Sequence, residues 1–215
     1  MSQKFLNPVD ANANKSVALV GPLPTKLRDF GFYPNTRDWL PGDLVFFSAL
    51  KPSWISRRII AAQRAGSFAE ADARWHHVAV YIGEDCVCEA LRSGVRHSSI
   101  NDRILTNLIR VRRDPGLTAD ERYRLARKAL TRLGERYSLG DILQLRRSSQ
   151  DGWWNPARAT FRNYGTICSQ LYADAYGAVT GRYLIPGRPP PLTPGDLSEA
   201  STLDDIPVHW LKIDG

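Results

Sequence analysis

The sequence has no long apolar run and few cysteines. No stretch approaches the roughly 18 apolar residues that a membrane-spanning helix needs, so no transmembrane segment is expected. The first residues lack an apolar core and a small-residue cleavage site, so we predict no signal peptide and synthesis in the cytoplasm. Export would then need a leaderless route or a delivery system. Zinc-finger spacing, a P-loop and an aromatic RNA-binding signature are also missing, so no specific nucleic-acid partner is expected.

The composition is that of a folded protein of ordinary size. The chain has 215 residues, of which 43% are hydrophobic and 24% are charged, enough to build one domain with a packed core. Residues 1–40 are rich in Asn, Pro and Gly and are predicted to form an extended lead-in. Residues 41–215 are predicted to form the functional domain. The oligomeric state is left open.

The positive charge is concentrated in one part of the chain. The formal net charge is +7, and residues 101–150 contain 12 Arg or Lys against 6 Asp or Glu. Arginines on the outer face of a helix are usually solvated and sometimes contact an anionic surface. We therefore assign residues 101–150 at most an anionic surface contact.

Hydrophobic periodicity and capping residues predict an α+β domain. Strands are predicted over 44–47, 75–82, 86–91 and 108–111. Helices are predicted after the capping residues Ser53, Thr118 and Thr193, and from near Cys168 to Gly181. The order of these elements predicts an antiparallel sheet packed against helices. The helix after Thr118 is expected to bury one stripe, which consists of Tyr123, Ala126, Ala129, Leu130 and Leu133.

The three cysteines do not have the number or spacing of a disulfide scaffold. Cys86 and Cys88 alternate on a predicted strand and are interpreted as small core residues. A zinc site that combines them with His76 and His77 matches no common ligand spacing, so no metal or other cofactor is expected.

Cys168 is the candidate nucleophile. It lies at the predicted start of a helix, where free backbone N–H groups and the helix dipole favour a thiolate over a thiol. The alternative, a cysteine that only packs beneath the helix, is equally compatible with this segment alone.

His77 and Glu89 are the predicted partners of Cys168. His77 begins an apolar strand and can act as the base for a thiol, whereas Glu89 interrupts an apolar strand, where a carboxylate needs a partner. A three-residue hairpin loop at 83–85 would place Glu89 opposite Ala79, on the same face as His77. A two-residue loop would separate the two side chains unless a bulge restored the parity. The pairing therefore requires an odd-length loop or a bulge.

Four short motifs resemble the circularly permuted NlpC-like branch of papain-fold cysteine peptidases, which includes the lecithin:retinol acyltransferase-like proteins. The motifs are Pro41-Gly-Asp-Leu-Val45, His77-Val-Ala-Val-Tyr-Ile-Gly83, Glu89-Ala90 and Cys168-Ser-Gln-Leu171, and Thr193-Pro194 resembles a further family element. The resemblance implies a permuted papain-like fold over about residues 41–200, with Cys168, His77 and Glu89 as the catalytic triad. The acyltransferase-like members carry His at the position of Glu89 and usually Asn at that of Ile167, so this chain is more similar to the bacterial peptidase-like members.

The resemblance implies a cysteine hydrolase that cleaves amide bonds through an acyl-enzyme. Its substrate would be peptide-like or carry an acyl group, with bacterial cell-wall peptide as one target and an exported effector or toxin as one setting. Two alternatives stay open at this point. One is a lipid or protein acyltransferase or thioesterase of the same fold, and the other is a non-catalytic binding module that uses the arginine-rich surface.

Overall fold

The fold is described by a computed structural model for residues 16–17, 24–136 and 167–213. The carboxyl-terminal part of the basic segment, residues 137–150, lies outside the described residues. In the described part of the chain, no helix is both long enough and apolar enough to cross a membrane.

A six-stranded sheet forms the centre of the protein. It is antiparallel throughout, and the strands lie in the order β6-β5-β4-β3-β7-β8. The strands are β3 (Leu44–Ala49), β4 (His77–Gly83), β5 (Cys86–Leu91), β6 (Gly94–Ser99), β7 (Asn107–Arg113) and β8 (Asp204–Ile206). The four predicted strands are confirmed with small changes in their bounds. The sequence analysis missed β6, because its outward-facing residues Arg96 and His97 interrupt the apolar pattern.

Helices α1 to α7 flank this sheet. They are α1 (Thr25–Phe30), α2 (Trp54–Ala65), α3 (Glu70–Ala73), α4 (Asn101–Ile104), α5 (Ala119–Leu130), α6 (Cys168–Thr180) and α7 (Pro194–Glu199). The predicted caps are confirmed: Ser53, Thr118 and Thr193 each accept a hydrogen bond from a backbone N–H of the first turn. Gly181 adopts the left-handed conformation that ends α6. The α+β class, with an antiparallel sheet packed against helices, is thereby confirmed.

The segment expected to be an extended lead-in contains regular structure. Helix α1 and strand β2 (Phe32–Pro34) lie within it, and a single 3-10 turn spans Thr36–Asp38. Strand β2 and strand β1 (Ser16–Val17) flank β9 (Trp210–Ile213) in a separate three-stranded sheet. The physical reason is long-range pairing, since β9 supplies the hydrogen bonds that this segment cannot make locally.

The two faces of the six-stranded sheet bury different clusters. Val78 and Val80 of β4 point towards α5 and α6. They share one core cluster with Leu171 and Tyr172 of α6. Ala79 and its neighbours on the opposite face pack against α1, α4 and the strand that carries Trp210. Both faces of β4 are therefore covered, which explains its nearly continuous apolar sequence.

The buried stripe of α5 differs from the prediction. Tyr123 is 66% exposed and Leu133 is 47% exposed, so these two predictions are wrong. Leu125 is fully buried instead, next to Ala126 and Ala129. The helix is rotated relative to the predicted stripe because Leu125 and Ala129 share the core cluster with α6, and Leu133 follows the end of α5 at Leu130.

Several arginines of the basic segment are used inside the protein rather than on an outer face. Arg113 binds Asp43, Arg110 binds Asp205, and Arg112 donates to backbone carbonyls near α7. Arg127 and Lys128 of α5 remain exposed. The surface available for an anionic partner is therefore smaller than the composition of residues 101–150 indicates.

Candidate active site

Cys168 is the first residue of α6, as predicted. The preceding residue, Ile167, is extended and provides no side-chain cap, so the first N–H groups of the helix are free to bind an anion. The backbone N–H groups of Val78 and Ser169 are close enough to the Cys168 sulfur to favour its thiolate. Burial opposes a charged thiolate, but these donors and the neighbouring His77 outweigh it and lower the pKa of the Cys168 thiol.

His77 interacts with both of its predicted partners. Its Nε2 atom lies 2.6 Å from Oε2 of Glu89, and the Cys168 thiol is close enough to influence the charge of the ring. Because Nε2 is engaged by the carboxylate, Nδ1 is the nitrogen available to the sulfur. Burial of the ring disfavours the imidazolium, but Cys168 and Glu89 outweigh it and raise the pKa of His77 to about 9. Both shifts favour a thiolate–imidazolium pair over a neutral thiol and a neutral imidazole.

A β-bulge creates the parity that joins His77 to Glu89. The turn contains two residues, Glu84 and Asp85, since Gly83 pairs with Cys86. The register shifts between Gly83 and Tyr81. Farther from the turn, Tyr81 therefore pairs with Val87 and Val80 pairs with Cys88. The shift restores the alternation that the sequence argument required. Of the two conditions stated for this pairing, an odd-length loop or a bulge, the structure has the bulge, and His77 contacts Glu89.

The nucleophile and the base come from different layers. Helix α6 packs on the face of the sheet that carries Val78 and Val80, whereas His77 belongs to the opposite alternation of β4. The two meet because His77 is the first residue of β4 and Cys168 is the first residue of α6. Two side chains at element ends can share a site even when the elements bury opposite faces.

Glu89 is fully buried and bound by two cationic partners. Its Oε2 atom accepts from Nη2 of Arg103 at 2.7 Å as well as from His77. Burial alone would raise the pKa of this carboxyl group, but His77 and Arg103 outweigh that effect and lower it to about 2. Glu89 is therefore ionised throughout the physiological pH range.

Arg103 is the site residue that the sequence analysis missed. It lies on α4, a one-turn helix of four residues that carries too little periodicity to be predicted, within the basic segment interpreted as a surface feature. Its guanidinium also lies 5.6 Å from the ring centre of Phe47, which stacks on His77. The only signal in the sequence was a basic residue among the apolar residues Ile104 and Leu105.

His76 is excluded from the reactive pair by its own contact. Its Nε2 atom accepts a hydrogen bond from the backbone N–H of Ala49 at 2.8 Å, which needs the neutral ring. Burial, together with the nearby charges of His77 and Arg103, lowers the pKa of His76 to about 4. Only one of the two adjacent histidines, His77, therefore shares the site with Cys168.

The alternative zinc site has no counterpart in the structure. Among residues 24–136 and 167–213, no group of three or more His, Cys, Asp or Glu side chains is arranged to hold a metal ion. Cys88 is buried in the core, and Cys86 is half-buried near the hairpin turn. Burial raises the pKa of both thiols, that of Cys88 to about 11. Glu89, the acidic residue nearest His77, is already paired with the guanidinium of Arg103 and is therefore not a free metal ligand.

Contacts with three other parts of the chain hold α6 in place. Ser169, which follows the nucleophile, donates from its hydroxyl to the carbonyl of Leu192 at the end of the proline-rich loop. Tyr176, two turns along the helix, donates to Asp114 at 2.7 Å. Ile167 packs against Ile55 and Ile59 of α2. These contacts fix the amino-terminal end of α6 relative to β4.

Comparison with known proteins supports the fold and goes no further. No family model matches the chain, and no curated protein matches it. A solved structure that is similar is metalloprotein yiiX from Escherichia coli O157:H7, with a TM-score of 0.58 and 16% sequence identity. The match covers 80% of this chain and 98% of that protein. At this identity the likeness is one of fold alone.

Proposed function

We propose that this protein is a cysteine hydrolase that cleaves amide bonds in peptide-like substrates through a Cys168 acyl-enzyme. The observation that supports the proposal most strongly is the chain of contacts from the Cys168 sulfur through His77 to the buried carboxylate of Glu89. A cysteine that serves only for packing has no use for a protonated imidazole, and a buried carboxylate is costly without such partners.

The reaction that fits these residues has two stages. In the first, the Cys168 sulfur attacks the carbonyl carbon, His77 gives its proton to the leaving amine, and the carbon–nitrogen bond breaks. In the second, His77 takes a proton from a water molecule whose oxygen attacks the thioester carbonyl, and the carbon–sulfur bond breaks. Glu89 orients the imidazole in both stages. The backbone N–H of Cys168 is our candidate donor to the developing oxyanion.

The permuted NlpC-like arrangement is part of the same proposal. It is supported by the order of the motifs along the chain, since the strand that begins with His77 precedes the helix that begins with Cys168. Glu89 on the following strand occupies the third position that this family implies. A glutamate there favours peptide-like over lipid substrates, and an exported effector acting on bacterial cell-wall peptide is the setting we propose.

Selective alkylation provides the first test. Wild-type protein is treated with iodoacetamide near pH 6.5, and the labelling of each cysteine is followed by peptide mass spectrometry. Cys86 is the internal control, because it is more exposed than Cys168 yet its pKa is raised. We expect Cys168 to react first, because its lowered pKa leaves a larger fraction of this thiol as thiolate near pH 6.5. The advantage should disappear in His77→Ala.

The outcomes separate the proposal from its alternatives. If Cys86 reacts faster than Cys168, the thiolate is not activated and a binding module becomes the better interpretation. In separate experiments, the wild-type protein is incubated with muropeptides and with labelled phospholipid. The mass of the Cys168 adduct identifies the acyl donor. Release of free acid shows hydrolysis, whereas transfer of the acyl group to a second acceptor contradicts it. Cys168→Ala is the control for both incubations.

A further inference from the structure

Arg103 contacts the catalytic carboxylate through the oxygen that His77 also uses. Its Nη2 atom and Nε2 of His77 both lie within 2.7 Å of Glu89 Oε2. The Glu89 side chain is completely buried, and the Arg103 side chain is 22% exposed. One carboxylate oxygen therefore holds a titratable cation and a permanent cation together.

The charge of the site must be balanced in two different states. In the thiolate–imidazolium state of the proposed mechanism, the thiolate and Glu89 carry two negative charges, and the imidazolium of His77 and Arg103 carry two positive charges. After acylation the sulfur is uncharged and His77 has given its proton to the leaving group. The remaining charges are then Glu89 and Arg103, which again cancel. Without Arg103, the buried carboxylate in the acyl-enzyme would be neutralised only if His77 kept its proton.

We propose that Arg103 is a positioning residue that provides the permanent counter-charge for Glu89, which allows His77 to be a neutral base during hydrolysis of the acyl-enzyme. The inference rests on the proposed function and assigns a role that the triad alone does not contain. Arg103 acts through Glu89, and its guanidinium also lies over Phe47, the ring that stacks on His77.

The other charged groups around the pair do not replace Arg103. Immediately before β4, His76 is held neutral by its bond from Ala49. On β5, Cys88 is a buried thiol. On β6, Arg96 is paired in register with Glu89 but is exposed to solvent. On α6, Cys168 loses its charge on acylation. Asp102, beside Arg103 on α4, is exposed.

The decisive experiment measures the pKa of His77 when position 168 is uncharged. Cys168→Ser is prepared alone and combined with Arg103→Met, and the histidine ring signals of each are titrated by NMR. His77 is assigned by comparison with His77→Gln. A cation so close to the ring opposes its protonation, so we expect Arg103→Met to raise the pKa of His77 by about one unit. Arg103→Lys keeps the charge, so it should return the pKa of His77 most of the way to its value in Cys168→Ser alone.

A matched control and a second variant complete the design. Arg124→Met removes an exposed arginine that pairs with Asp120 at 3.7 Å, and it should leave the His77 titration unchanged. Arg103→Gln replaces Arg103→Met if the latter does not fold. An unchanged or lowered pKa of His77 in the Arg103 variants would overturn the inference.

A second readout uses the intact nucleophile. With p-nitrophenyl acetate, Arg103→Met should still release a burst of nitrophenol but turn over slowly, with the acetyl adduct on Cys168 visible in the intact mass. A merely structural role would weaken the burst and the turnover together, which would contradict the inference. Failure of the proposed function is recognised separately. In that case wild-type Cys168 would not be alkylated selectively. The NMR titration in Cys168→Ser does not depend on the reactivity of that thiol.

Discussion

Replacement of Glu89 by glutamine tests the buried centre of the site directly. The substitution keeps the size of the side chain and removes its charge. Arg103 then has no carboxylate partner within a largely buried environment, and His77 loses the group that favours its imidazolium. We expect a protein that still folds but is measurably less stable, with a lower pKa for His77.

The size of the effect follows from the pKa of Glu89. It is lowered from an ordinary 4.5 to about 2, because the bonds from His77 and Arg103 outweigh the opposing effect of burial. Each unit corresponds to about 1.4 kcal/mol of preference for the ionised form in the folded protein. The carboxylate therefore contributes roughly 3 kcal/mol to the free energy of unfolding above pH 4.5. This value agrees with the cost of about 3–5 kcal/mol for breaking a buried ion pair.

The pH dependence provides the sign. A carboxyl group with a lowered pKa stabilises the folded state fully above its unfolded pKa, and the contribution disappears as the pH falls through the folded pKa. The difference between wild type and Glu89→Gln should therefore be largest near pH 6 and should shrink between pH 4.5 and pH 2. Urea denaturation followed by circular dichroism at several pH values measures it.

The control is Glu84→Gln, which changes an exposed glutamate in the turn after β4. It should leave the free energy of unfolding nearly unchanged at every pH. If Glu89→Gln is as mild as this control at pH 6, or if its effect does not diminish in acid, then Glu89 is not the ionised partner of His77 and Arg103. The charge-balance argument for the site would then be refuted.

Three further predictions concern activity and folding. The pH profile of kcat/KM should be bell-shaped. The acid limb reflects formation of the Cys168 thiolate below the ordinary thiol pKa, and the alkaline limb reflects loss of the His77 imidazolium near pH 9; a profile still rising at pH 10 would contradict the ion pair. Gly94→Ala should lower the melting temperature, because Gly94 has a φ of +112° and an added Cβ would lie 2.7 Å from the carbonyl oxygen of Glu135; unchanged thermal unfolding would refute this clash. Tyr176→Phe should cost about 1–3 kcal/mol in urea denaturation, because it removes the hydroxyl bound to the buried Asp114, and a neutral result would show that another group can satisfy this carboxylate.

Local signals were sufficient to locate most of the elements near the site. A cap such as Thr118 satisfies backbone groups within one turn, and the alternation of apolar residues in β4 depends on adjacent positions only. For the same reason, the start of α6 at Cys168 was readable from the residues that follow it. The orientation of α5 was not, since the burial of Tyr123 depends on which neighbour the helix meets.

The contact between His77 and Glu89 depends on the parity of the hairpin. Parity required one residue more than a two-residue turn provides, either in the loop or in a bulge, and the sequence did not decide between them. The structure places it at the register shift before Gly83. A bulge depends on the twist and hydrogen bonding of both strands, so the residues of one hairpin do not determine its position.

The sequence alone determined which residue types could form a reactive site and which elements begin and end beside them, because caps, turns and periodicity act over a few residues. Only the tertiary structure decided that Arg103 joins the site and that most neighbouring arginines bind elsewhere within the protein. An ion pair between α4 and β5 forms where the folded backbone brings a guanidinium to a buried carboxylate. That distance is a property of the packed sheet, and no spacing along the chain encodes it.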